Sequence, residues 1–157
     1  MNIEIERKFL VLNDFKNFIH KSTCIKQGYL NTDPERTVRI RINNQRDWIT
    51  IKGKSSKDGL ERFEWEKEIP LHEGENLLLL CEEKPIEKIR HEIIHENHVF
   101  EVDEFLGENK GLVLAEVELK DKNEYINFPE WILKEVTGDF KYYNSYISQN
   151  PYKNWNK

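Results

Sequence analysis

Apolar and polar residues alternate with a period of two along most of the chain. Ile3, Ile5 and Phe9 alternate against Glu4, Glu6 and Lys8, and Thr37-Val38-Arg39-Ile40-Arg41-Ile42-Asn43 alternates without a break. This period predicts strands whose two faces differ in polarity. From Cys24 to Asn31, residues Ile25, Gln27, Tyr29 and Asn31 share one face of a strand of mixed polarity. Asn43-Asn44-Gln45 is a turn, after which Trp48–Gly53 returns as the second arm of a hairpin. Arg62, Glu64, Glu66 and Glu68 then alternate with Phe63, Trp65, Lys67 and Ile69, and Pro70 ends that run. Ile86–His95, Val99–Phe105 and Leu112–Lys120 carry the same period.

Three stretches depart from it. Asn13 or Asp14 is expected to cap a short helix through Phe15, Phe18 and Ile19. The cluster Leu77 to Cys81 predicts a helix over Glu73–Glu83, ended by Pro85. A last helix is expected from Gly138 to Ser148, carrying Phe140, Tyr143 and Ile147, with Pro151 closing it. No linker, repeat or low-complexity tract interrupts the order, so residues 1–157 are expected to form one domain.

About eight strands joined by short connections suggest a mainly antiparallel sheet or barrel. Two architectures fit. In a sandwich the apolar faces meet and the charged faces are solvated. In a closed barrel the charges point inward, and helices cover the apolar outside. The polar residues favour the second. Their acidic set is Glu4, Glu6, Glu64, Glu66, Glu101, Asp103, Glu116 and Glu118; the basic set is Lys8, Arg39, Arg41, Lys52, Arg62, Lys88 and Arg90. Surface strands usually carry Thr and other uncharged residues. Here like charges stand two apart on single strands, as in Arg39/Arg41 and Glu116/Glu118. Neighbours two apart on one face lie roughly 6–7 Å from each other, so such pairs need a counter-charge close by.

Composition narrows the functions. Net charge is −5, which gives no overall basic field for nucleic acid. No apolar run is long enough to span a membrane as a helix, and the N-terminus, charged from Glu4 onward, lacks a signal-peptide core. Cys24 and Cys81 lack metal-ligand spacing and read as two reduced thiols of a cytoplasmic protein. The five histidines, His91, His95 and His98 among them, read as strand and loop surface, because hard-cation sites favour oxygen. Trp48 and Trp65 are expected to pack on the outer face, and the leucine run from Leu77 is expected in the core. No G-x-x-x-x-G-K-[ST] loop is present, which excludes a P-loop enzyme.

Glu4-Ile5-Glu6-Arg7-Lys8 resembles the E-x-E-x-K signature of the CYTH superfamily, the triphosphate tunnel metalloenzymes. Further blocks resemble that family in family order: Gln27-Gly28-Tyr29-Leu30, Thr37–Arg41, Thr50–Gly53, Glu64–Glu66, Ile86–Arg90, Val102–Phe105, Ala115–Leu119 and the tail around Thr137-Gly138-Asp139 and Tyr143-Asn144-Ser145. The resemblance covers nearly the whole chain and implies an α+β fold, an eight-stranded antiparallel β-barrel, or tunnel, with helices packed outside. It implies a triphosphate-containing small molecule as ligand and Mg²⁺ or Mn²⁺ as cofactor; from charge and hydropathy no nucleic-acid or membrane partner is expected, and the chain is expected to be a monomer or homodimer. Carried over residue by residue, it places the metal at Glu4, Glu6 and Glu118, with Glu116, Asp103 and Glu64 or Glu66 serving a second metal or its water. It places phosphates on Lys8, Arg39, Arg41, Lys52, Arg62, Lys88 and Arg90. Lys8, Tyr29, Lys52, Lys88 and Arg90 fall at catalytic positions, with Tyr29 near the tunnel mouth. The last helix is expected to help close one end. Among family activities the blocks look most like tripolyphosphate hydrolysis. Adenylate cyclase on the same tunnel, thiamine triphosphatase and a non-catalytic polyphosphate or nucleotide binder are the alternatives.

Overall fold

The alternating segments close into a ring with the charged faces inside. In the computed structural model, which describes residues 2–157, nine strands follow in order: β1 (Ile3–Val11), β2 (Lys21–Asn31), β3 (Arg36–Ile42), β4 (Asp47–Ser55), β5 (Glu61–Ile69), β6 (Ile86–His95), β7 (His98–Phe105), β8 (Val113–Glu118) and β9 (Ile132–Glu135). Eight pair in the order β5-β4-β3-β2-β6-β7-β8-β1, and β1 returns to β5. The closure rests on Ile3 opposite Phe63, Glu4 opposite Arg62 and Ile5 opposite Glu61, all antiparallel. The ninth strand pairs with Phe9, Leu10 and Val11 farther along β1. Ile132–Glu135 is short and does not alternate, so the sequence pattern gave no sign of it.

The register decides which charges meet, because directly opposed residues share a face. Glu118 and Glu116 stand opposite Glu6 and Lys8. Glu116 also stands opposite Glu101, Asp103 opposite Arg90, and Arg39 opposite Tyr29 and Thr50. A slip of one residue in any strand would turn its charges outward.

Two apolar cores hold the ring. The outer one packs Phe9, Ile93, Phe100, Val102, Ala115 and Val117 beneath Phe15, Leu119, Ile126 and Trp131. Each fully buried phenylalanine here contributes about 1.5–3 kcal/mol. Its cover is a 3₁₀ helix over Asn13–Phe18, which lacks the expected side-chain cap from Asn13 or Asp14, together with the chain beyond β8. His91 is buried in this layer rather than on the surface, hydrogen-bonded to Ser22 and Glu104. The second core lies at one end of the ring. There the inward row turns apolar, and Ile86, Phe105, Leu112, Leu114, Val136 and Ile147 fill it, with Leu10 packed against them.

Both α-helices are shorter than expected. The first, α1 (Glu73–Leu78), buries Leu78 but leaves Leu79 83 % and Leu80 70 % exposed. The helix ends at Leu78, Leu79 and Leu80 fall in the turn beyond it, and only part of that run is core. The second, α2 (Asn144–Gln149), begins after a separate 3₁₀ turn at Phe140–Tyr142, with Tyr143 extended between them. Helices therefore cover little of the ring's outer face. Trp65 and Phe63 on β5 stay 37 % and 44 % exposed. Both cysteines are free, and among the described residues no helix is long and apolar enough to cross a membrane.

Gly59 and Gly138 meet where the β4–β5 loop touches the chain that closes the ring's end. Both have positive φ, 77° and 78°, and a Cβ on Gly59 would lie 2.2 Å from Gly138 Cα. Backbone on backbone cannot yield as a side-chain tip does. Gly59→Ala is expected to lower stability by about 1–3 kcal/mol, read as a drop in the urea midpoint.

Candidate active site

Inside the ring lies a cavity of about 250 Å³. Six of its strands supply inward residues: Glu4, Glu6 and Lys8 from β1, Arg39 and Arg41 from β3, Thr50 and Lys52 from β4, Arg62, Glu64 and Glu66 from β5, Lys88 and Arg90 from β6, and Glu116 and Glu118 from β8. Tyr29 from β2 and Glu101 from β7 complete the walls. One end is crossed by Thr137, Gly138, Tyr143, Asn144 and Ser145. Leu60 is the only aliphatic side chain among these lining residues.

The cations differ in what already holds them. Arg90 lies in a fork on Asp103, with Nε 2.7 Å from Oδ1 and Nη2 2.8 Å from Oδ2, and Lys88 Nζ stands 2.7 Å from Oδ2. Lys52 Nζ donates to Glu4 at 2.8 Å and lies 3.4 Å from Glu64. Arg62 donates to the Gly53 and Pro34 carbonyls, and Tyr143 covers it. The β3 arginines are less satisfied. Arg39 Nε is buried and finds no acceptor among the described residues. Burial, with Arg39 and Arg90 nearby, pushes the Arg41 guanidinium down to about 9. Arginine stays protonated in proteins, so that depression expresses unrelieved positive charge. An anion with several oxygens would supply the missing acceptors.

The opposite wall carries excess carboxylates. Burial, then Glu116 and Glu4, raise Glu6 well above the ordinary range. Burial also opposes the charge on Glu116, but Lys8, a hydrogen bond from Glu6 and Arg90 hold it well below. Burial and Glu4 lift Glu64 to about 7. Glu118 and Glu101 are raised as well, chiefly by burial. In two carboxylate pairs, Glu6/Glu116 and Glu4/Glu64, one member is raised and the other lowered, because two close anions repel.

The donor set fits a divalent cation. It is all oxygen, it gathers around one cavity, and its surplus charge is held in check by protons and by Lys52. Hard cations prefer such ligands. Among the described residues no three carboxylates are drawn together at ligating distance, and Lys52 stands between Glu4 and Glu64 as an internal counter-ion.

A pH dependence follows. Glu64 has a folded pKa of about 7 against an ordinary 4.5. Its contribution to stability is fully present below 4.5 and is lost as pH rises through about 7. Glu6, Glu101 and Glu118 act in the same direction. Lys88, depressed to about 7 by burial, acts only above that pH and with the opposite sign. With a chelator present, the melting temperature is expected to fall between about pH 5 and pH 7, and added divalent cation should remove the fall.

Every residue expected from the sequence to bind phosphate lines this cavity, as do Glu4, Glu6, Glu64, Glu66, Glu116, Glu118 and Tyr29. Asp103 does not. It shares the inward face with Arg90, but it is 0 % exposed and both its oxygens are occupied by Lys88 and Arg90. Two amides were missed. Gln27 is 0 % exposed and accepts from Arg41 Nε at 3.1 Å, and Asn144 accepts from both Gln27 and Lys88. Gln27 could have been found, since it shares the inward face of β2 with Tyr29. Asn144 lies outside the strands, where alternation carries no information.

Comparison with known proteins agrees with this architecture. Residues 2–145 match the model of the CYTH domain family. An inorganic triphosphatase of Acetivibrio thermocellus is 46 % identical over 156 residues, covering 99 % of each chain. One of Nitrosomonas europaea is 34 % identical over 150 residues, covering 92 % of this chain and 96 % of its own. A solved inorganic triphosphatase structure aligns with a TM-score of 0.63 and 30 % identity, over 92 % of this chain and 93 % of that one. A putative adenylate cyclase from Bacillus halodurans shares the fold at a TM-score of 0.52 and 18 % identity, covering 78 % and 84 % of the two chains.

Proposed function

The chain belongs to the CYTH family, and from that premise we propose that its tunnel hydrolyses inorganic tripolyphosphate with the help of a divalent cation, magnesium or manganese. One observation carries this reading above the others. Inside a single cavity, Arg39, with a buried Nε that finds no acceptor among the described residues, and Arg41, whose positive charge is unrelieved, face a wall of carboxylates raised above their ordinary range. The sparse aliphatic lining supports an inorganic substrate over a nucleotide, whose base would seek apolar surface.

Hydrolysis breaks one phosphoanhydride bond, with water as nucleophile and pyrophosphate as leaving group. Such transfer needs positioning and charge stabilisation more than covalent help. Arg39 and Arg41 grip phosphate oxygens. Lys8 and Lys88 add charge from the neighbouring walls, and Tyr29 lies beside Arg39. Glu4, Glu6, Glu64, Glu116 and Glu118 would hold the cation. When bound, it supplies neutralising charge to the phosphate oxygens and makes water more acidic. Asp103 holds Arg90 and Lys88 in place and opposes the burial that depresses Lys88, and Lys52 favours the ionised form of Glu4.

The test is an incubation with Mg²⁺, or separately Mn²⁺, and tripolyphosphate, ATP or thiamine triphosphate, assayed for orthophosphate and cyclic AMP. Orthophosphate should appear fastest from tripolyphosphate, without cyclic AMP. Cyclic AMP from ATP, or no phosphate release from folded protein, would overturn the reading.

A further inference from the structure

The segment that crosses the end of the tunnel does more than close it. Tyr142, Tyr143 and Asn144 each reach a different part of the charged wall. The Tyr142 carbonyl accepts from Lys8 Nζ at 3.0 Å. The Tyr143 hydroxyl donates to Ser55 Oγ at 3.2 Å, and its ring lies 5.2 Å from Lys8 Nζ and 5.7 Å from the Arg62 guanidinium carbon. Asn144 Oδ1 accepts from Gln27 Nε2 at 2.8 Å and from Lys88 Nζ at 3.0 Å.

Gln27 extends the chain of bonds, because its Oε1 accepts from Arg41 Nε at 3.1 Å. Beyond Lys88 the chain continues to Asp103 and Arg90. One amide oxygen thus ties a cation on β6 to a cation on β3. Both are long, flexible side chains that repel each other and would otherwise splay apart. The segment itself is braced from outside. Trp155 packs edge-on against Tyr142 and Tyr146 at 5.7 and 6.3 Å, and its Nε1 donates to the Asn150 carbonyl.

We propose that Asn144 is a positioning residue for the phosphate site: its side-chain oxygen sets the place of Lys88 directly, and that of Arg41 through Gln27, before substrate arrives. The idea rests on the triphosphate reading of the tunnel. It differs from that reading in assigning a function to a residue outside the barrel strands. Preorganised cations bind an anion more tightly because their ordering cost is met during folding. A residue acting this way should affect affinity through the cations it holds and have little separate effect of its own.

The experiment is calorimetric titration with tripolyphosphate in the presence of a chelator, so that binding is read without turnover. Wild type, Asn144→Ala, Gln27→Leu and the double variant are compared, with melting temperatures taken alongside. Each single change is expected to weaken binding about tenfold, the size of one hydrogen bond to a charged group. The double variant should be no weaker than the worse single one, since both cut the same chain. Full addition of the two losses, or an Asn144→Ala affinity within twofold of wild type, would overturn the proposal. If Asn144→Ala does not fold, Gln27→Leu decides alone, because it breaks the same chain from the other side: unchanged affinity rejects the idea. If wild type binds only with Mg²⁺ present, the same four proteins are compared by KM under the same criteria; no binding and no turnover with Mg²⁺ would instead reject the triphosphate reading itself.

Discussion

Replacing Asp103 by alanine is expected to cost about 3–5 kcal/mol of folding stability, the largest effect of any single change in the ring. Asp103 is 0 % exposed and holds Arg90 in a two-pronged bond while forming an ion pair with Lys88 at 2.7 Å. Arg90 and Lys88 hold its pKa down to about 2 against the opposing effect of burial. Its removal leaves Arg90 with only Glu101 and Glu116, at 3.3 and 3.8 Å, and Lys88 without its carboxylate partner, with Arg41 nearby. Breaking one side of a buried ionic cluster costs far more than removing the cluster as a whole. Asp103→Ala combined with Lys88→Met should therefore recover part of the loss. Urea denaturation of both variants measures this. A single-variant loss below about 1 kcal/mol would mean that the cluster is solvated, like a surface pair.

Arg39→Gln should separate function from stability. The side chain is buried, with an unmatched Nε, and donates only weakly to Thr50 and Glu66, at 3.1 and 3.3 Å. Its loss relieves Arg41 of a nearby positive charge. The melting temperature should stay level or rise. Tripolyphosphate hydrolysis should fall about 10²–10³-fold in kcat/KM, as when one preorganised charge-stabilising donor is lost. A parallel loss of stability and activity would place Arg39 in the framework instead.

The ring was legible in the sequence because its two faces differ so strongly. Arg39 and Arg41 alternating with Ile40 and Ile42 fix which side of β3 is which, and the same contrast recurs on β1, β5 and β8. Alternation alone left open whether the charges point inward. The closure of β1 onto β5, with these charged rows lining the enclosed cavity, decides it. Segments without a period were harder. The leucine run near α1 looks like core in composition, yet half of it is solvent-exposed. The Gly138–Ser148 stretch was expected as one helix, but Gly138 is left-handed and Tyr143 extended, so the chain can cross the tunnel end before α2 begins. Within the site, a sequence lists charges but not their partners. It could not separate Asp103, spent on Lys88 and Arg90, from the carboxylates that line the cavity. Nor could it separate Lys52, already paired with Glu4, from the unsatisfied Arg39.

A crystal of the protein with tripolyphosphate and Mn²⁺, with anomalous scattering used to locate the metal, tests the inward-charge architecture most directly. Phosphate oxygens should lie within hydrogen-bonding distance of Arg39 and Arg41 inside the ring. Manganese should sit between them and the carboxylates of Glu4, Glu6 and Glu118, with Lys52 displaced from Glu4. Tripolyphosphate bound on the outer surface, or manganese away from the β1 and β8 carboxylates, would contradict it.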